Sequence, residues 1–276
     1  LDQILTTEID VVAGDILDLP GFISLLKRSG ANKIIHTAAK LGYSCAINPY
    51  QAVMTNINGT INILEAARLR DVDRVILASS GSVYAAFTGE DSNKPLDENS
   101  PTKPWGFYAA TKIACEQLGK EYCKKYGMNF YVARLGAVFG PWDRSSLRGP
   151  GALMHDLLND LAKFGHAEIT KWYPDIIYSK DAARGLILLA DAKSPSRQIY
   201  NISSGKLLSS VEEFASEIRK SLPGIKLTIS RNLTIEGVSS NQPLSNKFAV
   251  ADLGYTIEYP LGKAADEYYR WLKRGT

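Results

Sequence analysis

The 276-residue chain has little cysteine, little histidine, no charge of one dominant sign and no long apolar run. Three cysteines, Cys45, Cys115 and Cys123, are an odd number without metal-ligand spacing, which excludes a disulfide framework and reads as free thiols in a reducing compartment. The three histidines, His36, His155 and His166, show no spacing that would hold a metal. Lysine plus arginine number 32 against 29 aspartate plus glutamate, and the cations are spread along the chain, so the concentrated basic surface of a nucleic-acid binder is absent. No apolar run approaches the roughly 18 residues of a membrane span, and no charged-then-apolar leader opens the chain, so no membrane partner is expected and the cytoplasm is the expected location. The Asn-x-Ser/Thr matches at Asn58, Asn201 and Asn232 are then coincidental.

What is present is an alternation of short apolar runs with longer segments of helical period. The runs are 8–14, 33–39, 74–80 and 129–135, rich in Val, Ile and aromatics, and each is read as a strand. Between them lie helical patterns at 21–29, 49–70 and 107–126. Such β-α alternation predicts an α/β fold, a Rossmann-like doubly wound parallel sheet with helices on both faces. Ligands of such sheets sit beyond the carboxyl ends of the strands. After residue 141 the regularity falls off. A Gly/Pro-rich stretch at 140–151 precedes a helix over 152–164, an extended segment over 167–178, a helix over 180–191, a strand near 198–203, and helices over 209–222 and 261–274. Residues 1–140 are therefore read as the cofactor-binding and catalytic domain, with 176–202 returning to it, and 141–276 as mainly a smaller substrate-binding lobe.

The strand 74–80 ends in Ser79 and Ser80, with Ser82 close behind, and Tyr108 follows 28 residues after Ser80 with Lys112 at i+4 on the next helix. A strand-end hydroxyl, a phenol and an ammonium would meet in one crevice. Free tyrosine, with a pKa of about 10, is a poor base at neutral pH unless a positive charge stabilises the phenolate. A lysine one helical turn on shares its face and can supply that charge. Serine donating to the same substrate oxygen would stabilise charge developing there. These parts suit removal of an alcohol proton while carbon loses hydride to an external acceptor. Two further pairs share the spacing, Tyr259 with Lys263 and Tyr269 with Lys273. Pro260 and Gly262 argue against a helix across the first, and no strand-end serine precedes the second.

The motifs GDILD (14–18), IIHTAA (34–39), NINGT (56–60), ASSGSVYA (78–85), YAATK (108–112), RLGAVFGP (134–141) and YSKDAARG (178–185), in this order, resemble the extended short-chain dehydrogenase/reductase family in its NAD-dependent epimerase/dehydratase branch. The resemblance implies Tyr108 as acid/base, Lys112 lowering its pKa and holding the nicotinamide ribose, and Ser80 orienting the substrate hydroxyl. It places Asp15 and Ile16 at the adenine, the backbone of Ala38, Ala39 and Lys40 beside ribose and pyrophosphate, and Asn56 in the site's hydrogen-bond network. The cofactor implied is NAD or NADP, with NAD favoured, and the partners are a sugar-like small molecule and a second copy of the chain, packed through 49–70 and 107–126.

Departures narrow this expectation. The family opens on a Gly-x-x-Gly-x-x-Gly turn at a helix N-terminus that binds pyrophosphate. No three glycines here have that spacing, and residue 1 falls just before the family's third strand, so a missing first βαβ unit is expected in preference to a natural short form. The rival reading, a cofactor-poor binding or regulatory protein, stems from the same absence. The 4,6-dehydratases carry an Asp-Glu pair where Gly81 and Ser82 stand, which disfavours elimination. Nucleotide-sugar epimerases usually have Asn at the place of Ala137, so a smaller sugar acid, polyol or free sugar is expected, contacted by Ser80, Gly81, Ser82, Tyr108 and Ala137, with Arg144 and Arg148 as ligands for an anionic group. Net dehydrogenation is the alternative outcome of the same chemistry. His36, inside an apolar strand, is expected to be a buried hydrogen-bonded residue, Cys45 an inert thiol, and Cys115 and Cys123 packing residues.

Overall fold

The computed structural model describes residues 9–84, 94–141, 149–173, 175–206, 208–235 and 242–274. Its centre is a four-stranded parallel sheet in the order β1 (Lys33–His36), β2 (Arg74–Ser80), β3 (Phe130–Leu135) and β7 (Ile199–Ile202). Along β2 the side chains alternate between two cores. Val75 and Leu77 join Ile63 and Leu64 of α4 (Gly59–Leu69), Cys115 of α5 (Gly106–Tyr126) and Leu26 of α1 (Leu19–Ser29). Ile76 and Ala78 face Leu186 and Leu189 of α7 (Ser179–Asp191). Apolar residues on both sides of a strand demand helices on both faces, which is the doubly wound arrangement.

Local chemistry sets the helix ends. Asp18 caps α1 by accepting from Gly21 N at 3.0 Å, and Gly30 closes it in the left-handed region at φ 62°. Gly119 lets α5 lie close on β3, since a Cβ there would come within 2.1 Å of the Phe130 ring. The pattern over 49–70 is helical but not one α-helix. It consists of α3 (Pro49–Val53), a π-helical turn (Met54–Asn58) and α4, with Asn56 buried in the π turn.

Beyond the sheet, β4 (Ala137–Phe139) pairs in parallel with β6 (Ile176–Tyr178), and β5 (His166–Trp172) with β8 (Lys226–Ile235). A separate core holds these strands to α6 (Pro150–Phe164), α8 (Val211–Ser221) and α10 (Leu261–Arg274), around Leu158, Phe214 and Tyr268. The extended segment foreseen over 167–178 is thus two strands with different partners. The helix α2 (Gly42–Ile47), the strand β8 and the helix α9 (Lys247–Leu253) were not foreseen.

One expectation fails. Residues 9–14 form no strand, and Ile9, Val11 and Val12 stand 54–65% exposed. Apolar alternation makes a strand only where a neighbour's edge offers backbone partners and a core buries one face, and no described strand pairs with this run.

Candidate active site

The carboxyl end of β2 meets the first turns of α5. The Ser80 hydroxyl caps a 3₁₀ turn (Gly81–Val83) by accepting from Ser82 N at 3.1 Å, and it lies near enough to the Tyr108 phenol to draw that phenol's pKa down. The Lys112 ammonium, 4% exposed, donates to Ala78 O at 2.8 Å and lies 5.7 Å from the centre of the Tyr108 ring. Ser80, Tyr108 and Lys112 therefore converge within one strand end and one helix face. Ser79 does not cap the turn; its hydroxyl donates to Glu116 Oε1 at 2.6 Å.

The electrostatics of the pair differ from the simple expectation. Burial pushes the Tyr108 phenol up to about 12, against the pull of the Ser80 hydroxyl. Burial also draws Lys112 below the usual lysine range, opposed by the Cys115 and Cys45 thiols and by Glu116. The Lys112 charge is directed at a backbone carbonyl, so lowering of the phenol's pKa by Lys112 is not seen in this arrangement.

Asn56 gathers three segments. Its Oδ1 accepts from Lys40 N at 2.7 Å, and its Nδ2 donates to Lys40 O at 3.0 Å and to Thr111 Oγ1 at 2.9 Å. The loop after β1 is thereby clamped to the π turn and to α5 one residue before Lys112. Ala38 is exposed, while Ala39 and Lys40 are half-buried beside this clamp. Asp15 Oδ1 accepts from Leu17 N at 2.9 Å, and Ile16 packs on Gly59 while its carbonyl accepts from Asn62 Nδ2 at 3.1 Å. Ile16 is thus held on α4, and Asp15 bonds locally within the turn before α1.

The remaining expected contacts divide. Gly81 lies against Leu244, where a Cβ would come within 2.8 Å of Leu244 Cδ1. The Ser82 hydroxyl is buried without a hydrogen-bond partner among the described residues. Ala137 pairs with Ile176 and packs, half-buried, on the lobe core. Arg144 and Arg148 lie outside the described residues. His36 is buried with Nε2 3.0 Å from Thr60 Oγ1, and Cys45 and Cys115 bond to the carbonyls of Lys40 and Asn56. His155 bonds the Tyr268 hydroxyl at 2.8 Å, and no metal-holding group occurs among the described residues.

Residues not foreseen include Thr111, Glu116 and Arg134. Arg134 donates from Nε and Nη2 to the two Glu116 oxygens at 3.0 and 2.7 Å, with both side chains buried. An arginine inside the apolar run FYVARL was the available signal.

The sequence model of the NAD dependent epimerase/dehydratase family matches residues 2–203. The chain belongs to that family. A putative UDP-glucose 4-epimerase of Methanocaldococcus jannaschii is 30% identical over 247 residues, 87% of this chain and 76% of that protein. UDP-glucuronate 4-epimerase 6 of Arabidopsis thaliana is 26% identical over 96% of this chain, which spans 60% of that protein's length. Among solved structures, UDP-glucose 4-epimerase of Thermotoga maritima with UDP-glucose superposes with a TM-score of 0.83 at 18% identity, over 99% of this chain and 87% of that one. Family membership makes a nicotinamide dinucleotide, NAD or NADP, the cofactor class. The donor set at β2 and α5 fits the nicotinamide end, because the Lys112 ammonium has three N–H groups and Ala78 O accepts one of them. No glycine triad for the pyrophosphate occurs in the sequence. No described helix is long and apolar enough to cross a membrane.

Proposed function

We propose that this family member is an NAD- or NADP-dependent epimerase acting on a hydroxyl-bearing carbon of a sugar-like substrate. The observation that carries the reading is the placing of the Tyr108 ring 5.7 Å from the buried Lys112 ammonium, which donates to Ala78 O two residues before Ser80 at the end of β2. Lys112, Asn56 and the backbone of Ala38 to Lys40 would hold the cofactor, with Asp15 and Ile16 toward the adenine, and it would supply the hydride acceptor and donor. Tyr108 takes the hydroxyl proton and gives it back when the alcohol re-forms. Ser80 donates to the substrate oxygen, and Lys112 would stabilise the phenolate on turning its ammonium from Ala78 O toward Tyr108. A phenol raised to about 12 holds its proton at neutral pH, so Tyr108 as it stands is set for the acid half of this cycle. Ser82, its buried hydroxyl without a partner among the described residues, is suited to a second substrate hydroxyl.

Gly81 supports epimerisation over elimination: an acidic side chain there would have to displace Leu244, which is 6% exposed. The relatives' names point to UDP-linked sugars, whereas Ala137 offers no amide to a nucleotide diphosphate. The lobe around 141–175 and 203–276 would select between them, with Arg144 and Arg148 meeting an anionic group. The test is to incubate the NAD-saturated protein with UDP-glucose, UDP-glucuronate and the matching free sugars and to follow the product by NMR. Formation of an epimer that is lost in Tyr108→Phe supports the reading. Accumulation of reduced cofactor without epimer would make the enzyme a net dehydrogenase. Near wild-type turnover by Tyr108→Phe would remove Tyr108 from the chemistry. Calorimetry with NAD separates the rival regulatory reading, which micromolar affinity would sink.

The same reading makes the chain a homodimer. Tyr50 and Val53 of α3, Ile47 of α2 and Phe107 of α5 are exposed on elements that pack on one another. Light scattering after size exclusion tests this, and a clean monomer refutes it. The buried free thiols fit a reducing cytoplasm.

A further inference from the structure

Tyr108, Lys112 and Glu116 lie one helical turn apart along α5, and each meets one of three consecutive residues of β2. Tyr108 lies beside the Ser80 hydroxyl, Lys112 donates to Ala78 O, and Ser79 Oγ donates to Glu116 Oε1. The first two contacts belong to the site described above. The third lies a full turn deeper, where Glu116 is 0% and Ser79 3% exposed. Glu116 is held from its other side by both hydrogen bonds of Arg134. Arg134 is itself fixed, with its guanidinium 4.6 Å over the Tyr84 ring. The Tyr84 hydroxyl donates to Asn201 Oδ1 at 2.7 Å, and the Asn201 amide donates to the carbonyls of Leu96 and Ser245. A carboxylate on the catalytic helix is thus tied to β2, β3 and β7 at once.

A buried ion pair is a poor source of net stability, because desolvation offsets most of its Coulomb attraction. What such a pair does supply is a single fixed geometry. An apolar contact between α5 and the sheet would allow the helix to slide along the strand end, whereas a bidentate carboxylate with a third hydrogen bond allows one position. A misplacement of about 1 Å at a reacting group costs up to about a hundredfold in rate.

We propose that Glu116 is a positioning residue for the reaction: anchored by Arg134 and tethered to β2 by Ser79, it fixes α5 along the strand end so that Tyr108 and Ser80 meet one substrate oxygen. The inference rests on the assignment of Tyr108, Ser80 and Lys112 made above. Neither Glu116 nor Ser79 touches substrate or cofactor in this scheme.

The tether is tested with Ser79→Ala, which removes one hydrogen bond and leaves the buried ion pair whole, beside Ser79→Thr, which keeps the hydroxyl. Ser79→Ala is expected to lose about tenfold in kcat with KM within about twofold. Its melting temperature should fall by no more than about 4 °C, the equivalent of one hydrogen bond. Ser79→Thr should recover kcat to within about threefold of the wild type. Glu116→Asp, too short to meet Ser79 and Arg134 together, should show a larger kcat loss in the same direction. A readout that needs no substrate is NMR of the protein with carbon-labelled tyrosine. The Tyr108 ring resonance, identified by its absence in Tyr108→Phe, should move in Ser79→Ala and return in Ser79→Thr. A folded Ser79→Ala with wild-type kcat and an unmoved Tyr108 resonance overturns the inference, as does a kcat loss that threonine does not repair. Turnover by Tyr108→Phe would instead overturn the assignment on which the inference stands.

Discussion

The first turns of α5 and the region around α10 contain the same local geometry with different surroundings. Three tyrosines carry a lysine four residues on, and in all three the ammonium lies over the ring: 5.7 Å for Tyr108 and Lys112, 4.3 Å for Tyr259 and Lys263, 5.2 Å for Tyr269 and Lys273. In α5 the lysine is 4% exposed and points at the end of a central strand. Lys263 and Lys273 are exposed, and Lys263 donates to Glu258 O beside solvent. A cation over an aromatic ring follows from the spacing and is worth little at an exposed position. What makes one pair a candidate for chemistry is the strand end beneath it and the loss of water around it.

The contrast can be broken by substitution. Tyr108→Phe should lower turnover by about 10²–10⁴-fold, the contribution of a positioned acid/base, while Tyr269→Phe should leave it within about twofold. Coupled epimerase assays on both variants decide it. Lys112→Met, close in volume, should lose about 10²-fold while remaining folded, and Lys263→Met and Lys273→Met should match the wild type. Equal losses in the three would show that spacing alone matters.

Acid titration sharpens the same contrast. His36 is buried beside Lys112, and burial first, then the lysine's charge, lowers its pKa from 6.5 to about 4. The folded pKa lies below the unfolded one, so on acidification the unfolded chain binds the proton first and stability is lost as pH falls from about 6.5 to about 4. The shift is equivalent to roughly 3 kcal/mol in the urea midpoint compared at the two ends of that window. Lys112→Met should weaken this dependence in part, since burial is the larger cause, and Lys263→Met should leave it unchanged. The smallest effect is expected at Asn56→Ala, which strips both Lys40 hydrogen bonds from the loop after β1. The cost should be about 2 kcal/mol in thermal or urea unfolding, with no counterpart around α10.

The parts legible in the sequence are those whose cause is local. The runs at 74–80 and 130–135 form strands because their apolar residues face two helical layers, the run at 33–36 buries Ile34 on one of them, and α10 follows its amphipathic period from 261 to 274. Tyr108, Lys112 and Ser80 were legible because a strand-end serine and a Tyr-to-Lys turn are both written in residue types. The failures have non-local causes. The run 9–14 has strand composition and no described partner. The strand β8 exists through its pairing with β5, which lies 60 residues away at Lys226 and His166. Glu116 reads as an ordinary solvated helix residue until Arg134 arrives from β3. The π turn has no compositional sign, because it is a change in hydrogen-bond register and not in residue type.

That turn at Met54–Asn58 amounts to one additional residue wound into a helix that would otherwise run straight from α3 into α4. Excising one residue there would close the turn into uninterrupted α-helix and leave the faces of α3 and α4 as they are. Ile63 and Leu64 would stay on the sheet, while Asn56 would lose the turn in which it meets Lys40. Length is therefore the guarded property of this segment: the core tolerates a one-residue deletion, and the clamp on the loop after β1 does not.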